Sequence, residues 1–378
     1  MRYTIAVMSL LFAPIQVLAI ALNTELGARR GTPEKRELLR AGASAAILVS
    51  LGVVVVALML VAAGVIPLAD PVGLLITFAG NVIFQLYYSV ARGLREIPRA
   101  AAAYVGAAVV QIVSFGALVA LTDPSPRAAL VVYGMASILP VLIYELRSPV
   151  LGLPLLALRG NAMLRNLWLV AVPLIVWQLG FVVWGQADQV FVAAAFSQHD
   201  LGQYAAAKSL TQMFIVVPAA ISGTMLPMMA SRRAANDLRG ALRLTVLVGG
   251  VGLGISSVVS LAVLVGHTWM LDLAFGREYR AAGPAMIGLA VSMTGYTLFV
   301  TIAAVAIGWQ RASISAIGMT TVALVLLAGL PLFGKGSIEA TSWIVALSVG
   351  VGLSVMIALV LHRVGGLRRI SSLLRHSE

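Results

Sequence analysis

The feature that most constrains this chain is a succession of apolar runs, each about as long as a bilayer is thick. A hydrocarbon core of about 30 Å needs ~20 apolar residues per helix. About eleven such runs can be read, at 4–27, 41–64, 72–92, 100–121, 127–146, 166–187, 202–229, 241–266, 284–307, 312–332 and 339–362. Helix breakers separate them: Pro67 and Pro71, Pro124 and Pro126, Gly283-Pro284, and Gly334-Lys335-Gly336. Hydrophobic residues make up 60% of the 378 and charged residues only 11%. A soluble domain has about 25% charged residues, so this chain could not clothe a water-facing surface. The predicted fold class is an all-α polytopic membrane protein. The first run has one basic residue before it and no small-residue cleavage pattern after it, so it reads as a helix and not as a secretory signal.

Lys and Arg gather on the cytoplasmic side of membrane proteins. Most of the 26 here fall in the connections after spans 1, 3, 5, 7 and 9 and in the C-terminal tail. The other side holds only Arg2, Arg127, Arg277, Arg280 and Lys335, and Lys208 lies inside a span. The expected topology puts the C-terminus in the cytoplasm and the N-terminus outside, in an inner or plasma membrane. The net charge of +12 is then orientation and attraction to anionic lipid, and no nucleic-acid partner is implied.

The halves of the chain echo one another. Tyr3, Pro14 and Arg29-Arg30 around span 1 are matched by Tyr204, Pro218 and Arg232-Arg233 around span 7. Val90-Ala91-Arg92-Gly93 closes span 3, and Val305-Ala306-Ile307-Gly308 closes span 9. Spans 1–5 thus pair with spans 7–11, and span 6 has no partner. The expected organisation is an N-terminal bundle of five spans over 1–146, a cytoplasmic connector over 147–165, and a C-terminal bundle of six spans with a basic tail over 166–378. Parallel repeats of this kind are a known transporter plan, with the substrate path between the halves.

Polar groups at membrane depth are costly and mark function by default. Thr77, Asn81, Gln85, Tyr88 and Arg92 fall on one face of span 3, and Arg95 and Arg99 continue the face into the cytoplasmic turn. Interhelical hydrogen bonding is the alternative role for such a stripe. In span 7, Tyr204, Lys208, Thr211 and Gln212 share a face. A lone ammonium in hydrocarbon costs at least ~2.5–3.5 kcal/mol, so Lys208 calls for a partner, and Asp188 at the end of span 6 is the obvious one; otherwise it snorkels to the interface. Trp177, Phe181 and Trp184 line the same face as Asp188, with Gln178 alongside; near an interface their expected role is as an anchor belt. Glu25 and Glu145, near the ends of their spans, are candidates for ion coupling alongside Asp188, or else are solvated helix ends.

Catalytic and metal motifs are missing from the sequence. The run Gly329 to Gly336 imitates a phosphate-binding loop, but Gly336 occupies the Ser/Thr place and the run sits at a helix end. With no Cys and four scattered His, the chain is expected to be neither an enzyme nor a metalloprotein, and no cofactor is implied.

Leu201-Gly202-Gln203-Tyr204 with Ala207, Leu226-Pro227 at the end of the same span, Asp188 before them, and Phe275-Gly276-Arg277-Glu278-Tyr279 ahead of span 9 resemble signature stretches of the polysaccharide and O-antigen flippases. These belong to the multidrug/oligosaccharidyl-lipid/polysaccharide exporter superfamily. The resemblance covers about 166–312. It implies two pseudo-symmetric six-helix lobes around a central cavity, moving a polyprenyl-diphosphate-linked oligosaccharide outward by alternating access. This chain would lack the family's first helix. Arg92, Arg95 and Lys208 would hold the diphosphate, and Asn81, Gln85, Tyr88, Gln178, Tyr204 and Gln212 would meet the glycan. Membrane lipids, and a glycan polymerase or glycosyltransferases, would be partners. The rival expectations are a cation-coupled multidrug exporter of the same superfamily, which needs an indispensable buried carboxylate, and a non-transporting component of a glycan-assembly complex.

Overall fold

A computed structural model describes residues 2–28, 32–62, 71–94, 96–121, 125–147 and 161–364. Arg95, most of the expected connector and the basic tail from 365 onward lie outside the described residues. The described chain is helical throughout: α1 (Arg2–Ala28), α2 (Thr32–Ala62), α3 (Pro71–Gly93), α4 (Ile97–Leu121), α5 (Pro126–Arg147), α6 (Asn161–Ala195), α7 (Gln198–Gln212), α8 (Val216–Ala234), α9 (Leu238–Phe275), α10 (Gly283–Gly308), α11 (Ala312–Phe333) and α12 (Ile338–Val364). Among the described residues, nine helical stretches are long and apolar enough to cross a membrane. The runs at 4–27 and 72–92 form helices as well, α1 and α3.

The run at 202–229 reads as a single span, and the structure interrupts it. A 3-10 turn at Met213–Ile215 separates α7 from α8. Pro218 has no N–H to donate to the Phe214 carbonyl, which loosens the α-helical ladder at this point.

The chain divides into two compact units, Met1–Ile175 and Val176–Glu378. In unit 1, α3 packs on α1 and α5, and α4 lies against α5. Phe84, Tyr87, Ala103, Ala107 and Val141 form one apolar cluster, and Ile15, Val53 and Phe78 form another. The crossing of α3 and α5 is a contact of bare backbone: a Cβ added to Gly80 would lie 2.3 Å from the Gly134 carbonyl oxygen. Close approach of this kind is how helices associate in lipid, where no hydrophobic force drives them together.

In unit 2, α10 is the innermost helix and packs on α7, α8, α9, α11 and α12. Its sequence suits the role, with Ala, Gly and Thr recurring along it. Hydroxyls join it to α9: the Ser256 and Thr297 oxygens are 2.8 Å apart, and those of Ser260 and Thr294 are 2.7 Å apart.

The repeat read from the sequence is visible in the backbone. At the end of α3 the Leu94 amide donates to Val90 O (2.9 Å) and the Glu96 amide to Ala91 O (2.8 Å). At the end of α10 the Trp309 amide donates to Val305 O (3.0 Å) and the Arg311 amide to Ala306 O (2.8 Å). Gly93 rests on Leu26 and Gly308 on Met229. Those two residues stand three positions before the paired arginines Arg29-Arg30 and Arg232-Arg233. The two bundles are variations of one helical plan.

Candidate functional site

The polar residues at depth in unit 2 converge on one carboxylate. A tight turn at Phe196–Ser197 folds α7 back along α6, fixed by a capping box: Ser197 Oγ accepts from the Asp200 amide, and the Asp200 carboxylate accepts from the Ser197 amide. Counted from that turn, Asp188 on α6 and Tyr204 on α7 come level. Lys208 comes level with Gly185, one helical turn further in.

Asp188 is fully buried. Its Oδ2 accepts from the Tyr204 hydroxyl (2.7 Å), and its Oδ1 accepts from Lys208 Nζ (2.5 Å) and the Gln189 amide (2.8 Å). Lys208 Nζ also donates to the Gly185 carbonyl (2.8 Å). Lys208 therefore neither snorkels nor stands alone: its charge is met inside the unit. Breaking such a pair by removing one partner strands the other charge, which is far more costly than the pair's own net contribution.

Above the ion pair, the aromatic face of α6 is not an anchor belt. Trp177 stacks on Phe181 (centroids 5.8 Å apart), and Trp184 stacks on Tyr296 of α10 (4.5 Å). Phe181 also lies over Tyr296, and Tyr296 over Phe299. Trp184 and Tyr296 are buried. The rings face the neighbouring helix because offset ring stacking adds to the burial of their area.

The two stretches that carry the flippase resemblance meet in space. Gln203 Nε2 donates to the Glu278 carbonyl (2.6 Å). That carbonyl belongs to the 3-10 turn Arg277–Ala282, which follows Gly276 at φ +100, a conformation that favours glycine.

In unit 1 the stripe of α3 is used largely within the bundle. The Thr77 hydroxyl donates to the Leu130 carbonyl of α5 (2.8 Å), and Asn81 Nδ2 donates back to the Thr77 carbonyl (3.0 Å). Gln85 and Tyr88 are half-buried. Tyr88 stacks on Phe84 and touches Tyr104 of α4, and the half-buried Arg92 guanidinium lies 4.6 Å from the centre of the Tyr88 ring. Glu25 is buried and Glu145 half-buried. Gln178 is buried beside the ladder. Gln212, the last residue of α7, is exposed, whereas Tyr204, Lys208 and Thr211 are buried. Sequence reading missed Gly185, whose carbonyl holds Lys208, and Tyr296 and Phe299, which complete the ladder from another helix. The aromatic spacing on α6 was the only signal. Among the described residues no group of three His, Asp or Glu could hold a metal ion.

Helical hairpins of bilayer length, in two repeated bundles, define a multi-pass membrane protein. Comparison with solved structures makes this specific. A MATE transporter in its straight conformation matches with TM-score 0.79 and 15% identity, over 97% of this chain and 86% of the other. An outward-facing multidrug resistance MATE family transporter of the MOP superfamily matches with TM-score 0.76 and 16% identity, over 98% and 86%. A mutant of the Vibrio cholerae MATE transporter VcmN matches with TM-score 0.74 and 14% identity, over 94% and 87%. The chain has the MATE transporter fold. No family model and no curated protein matches it.

Proposed function

We propose that the chain is a cation-coupled exporter of organic solutes and not an enzyme, with Asp188 as the acidic group of the coupling machinery in unit 2. The observation that carries this is a fully buried carboxylate, held by an ammonium and a phenol, at membrane depth in a chain of MATE fold. One of the neighbours is described as a multidrug resistance transporter, which favours small organic solutes over lipid-linked glycans. A carboxylate whose partners can let go in one conformation and not in another is the bistable element a coupled carrier needs. The membrane is an inner or plasma membrane, with the basic tail in the cytoplasm.

The test is dye efflux from proteoliposomes under an imposed proton or sodium gradient. The native chain is expected to extrude dye against its gradient. The double substitution Asp188→Asn with Lys208→Met, which removes both charges together, is expected to keep its thermal unfolding midpoint and lose gradient-driven efflux. Undiminished efflux in that variant removes Asp188 from coupling, and no efflux from the native chain overturns the exporter reading.

A second reading keeps the flippase. It is supported by Arg92 at the end of the α3 stripe, by Arg95 in the turn that follows, and by the resemblance of 201–227 and 273–279. Lys208 contributes less to it, since Asp188 already meets that charge. Flipping of a fluorescent polyprenyl-diphosphate sugar, lost on Arg92→Gln, would carry this reading in place of the first.

A further inference from the structure

The ladder of unit 2 holds two hydrogen-bond donors that no described residue accepts. Its rings run Trp177, Phe181, Trp184, Tyr296 and Phe299, with neighbouring centroids 4.5 to 6.3 Å apart. The pairs Trp177–Phe181 and Tyr296–Phe299 lie nearly parallel, at 7° and 13°. The indole Nε1–H groups of Trp177 and Trp184 are both buried without a partner, and Trp184 is only 4% exposed. A buried donor left unmade is unfavourable, and phenylalanine at either place would stack as well without that cost. Packing explains the rings and does not explain the indole N–H groups.

The charge at the end of the ladder narrows what could accept from them. Asp188 has both oxygens engaged, and Lys208 donates to two acceptors. The pair is neutral as a unit and offers no free charge to a ligand on the ladder. A cationic ring would gain stacking and a cation–π attraction, but it would leave the indole N–H groups, which need an acceptor, unmatched.

We propose that the Trp177–Trp184–Tyr296 ladder is a binding site for an uncharged planar aromatic ligand bearing a carbonyl oxygen or ring nitrogen that accepts from the indole N–H groups. The ligand slips between the rings, and its acceptor atoms satisfy donors that are orphaned when the stack is closed. This rests on the exporter reading for the fate of the ligand, while the binding itself is measured without transport.

The experiment uses the full chain in nanodiscs, with a coumarin as the neutral aromatic carbonyl probe and ethidium as a planar cation, each corrected for partition into empty nanodiscs. Energy transfer from tryptophan to coumarin is expected to saturate. Trp184→Phe keeps a ring and removes a donor, and is expected to raise the coumarin Kd about tenfold, the size of one lost hydrogen bond. Trp177→Phe is expected to act in the same direction, and Trp269→Phe, on α9 outside the ladder, is expected to leave the Kd unchanged. In 15N-indole spectra two of the six tryptophan Nε1–H resonances should move downfield on coumarin addition, one disappearing in each Phe variant. An unchanged Kd in both ladder variants, or ethidium binding more tightly than coumarin at the same place, overturns the proposal. Saturable binding without any efflux would sink the exporter reading alone. Efflux of other dyes by a chain that does not bind coumarin would sink the ladder site alone.

Discussion

The end of α3 in unit 1 and the end of α10 in unit 2 have the same backbone and different side chains. At one constant offset Val90 corresponds to Val305, Ala91 to Ala306, Gly93 to Gly308 and Phe84 to Phe299, and the turn hydrogen bonds correspond as well. At that offset Asn81 stands where unit 2 has Tyr296, Tyr88 where it has Ala303, and Arg92 where it has Ile307. Gly80, which meets Gly134, corresponds to Gly295, which meets Val349. The duplicated plan has kept what the helix crossings demand and changed what lies between them. Unit 1 has a polar stripe ending in a cation over a ring, whereas unit 2 has an aromatic core helix and a carboxylate-bound ammonium on its neighbours.

The largest effect should come from the different ways the two units treat charge. Asp188→Ala leaves the Lys208 ammonium stranded and is expected to cost about 3–5 kcal/mol, read as a lower thermal unfolding midpoint in detergent. Arg92→Ala removes a half-exposed cation from a ring face and is expected to cost about 0.5–2 kcal/mol. Equal losses would mean the units handle charge alike.

Next come the crossings. A Cβ at Gly80 would meet backbone at 2.3 Å, whereas one at Gly295 would meet the Val349 side chain at 3.2 Å. Gly80→Ala is expected to cost about 1–3 kcal/mol, as overpacking does, and Gly295→Ala much less, since a valine methyl can yield by a few tenths of an ångström. Unfolding midpoints of the two variants check the order. Smaller still, Ser256→Ala should cost ~0.6 kcal/mol, the average for a hydrogen bond between helices in a membrane, measurable in a double-mutant cycle with Thr297→Val.

The smallest effect is one of pH. Asp237 caps α9 by accepting from the Gly240 amide (2.8 Å) and pairs with Arg232 (2.5 Å). The amide first, and the guanidinium after it, hold its carboxyl below the ordinary value. Its contribution to stability is thus complete above the unfolded carboxylate pKa of about 3.9 and fades as pH falls through the lower folded value. Amide exchange in the first turn of α9 should therefore accelerate below that range in the native chain and be insensitive to pH there in Asp237→Asn, once the intrinsic pH dependence of exchange is removed.

Much of this architecture was legible in the sequence, because lipid imposes a length rule on every span and the positions of Gly93 and Gly308 mark a repeat. The partnership of Asp188 with Lys208 was legible in part, since an ammonium at depth must be met or snorkel to the interface, and Asp188 is the obvious carboxylate to meet it. The pairing of Trp184 with Tyr296 could not be read. It depends on which face α10 turns toward α6, and a helix that is apolar all round gives no periodic signal of its orientation. Thr77 was read as part of a site stripe and is bound instead to a carbonyl of α5, a contact across more than fifty residues that no local spacing records. Gln212 shares the helical face of Lys208 by counting, yet it is the last residue of α7 and exposed, and spacing alone does not tell how far along the helix the packed face extends.

That turn has a further effect. Three residues wound at three per turn instead of 3.6 advance the helix by roughly 60° more than an α-helix would. The segment after Met213–Ile215 therefore has a different azimuth from the segment before it. Tyr204 and Lys208 can point at Asp188 while Met229, downstream on the same rod, points at Gly308. The phase step rotates the second of these alignments relative to the first within a single crossing.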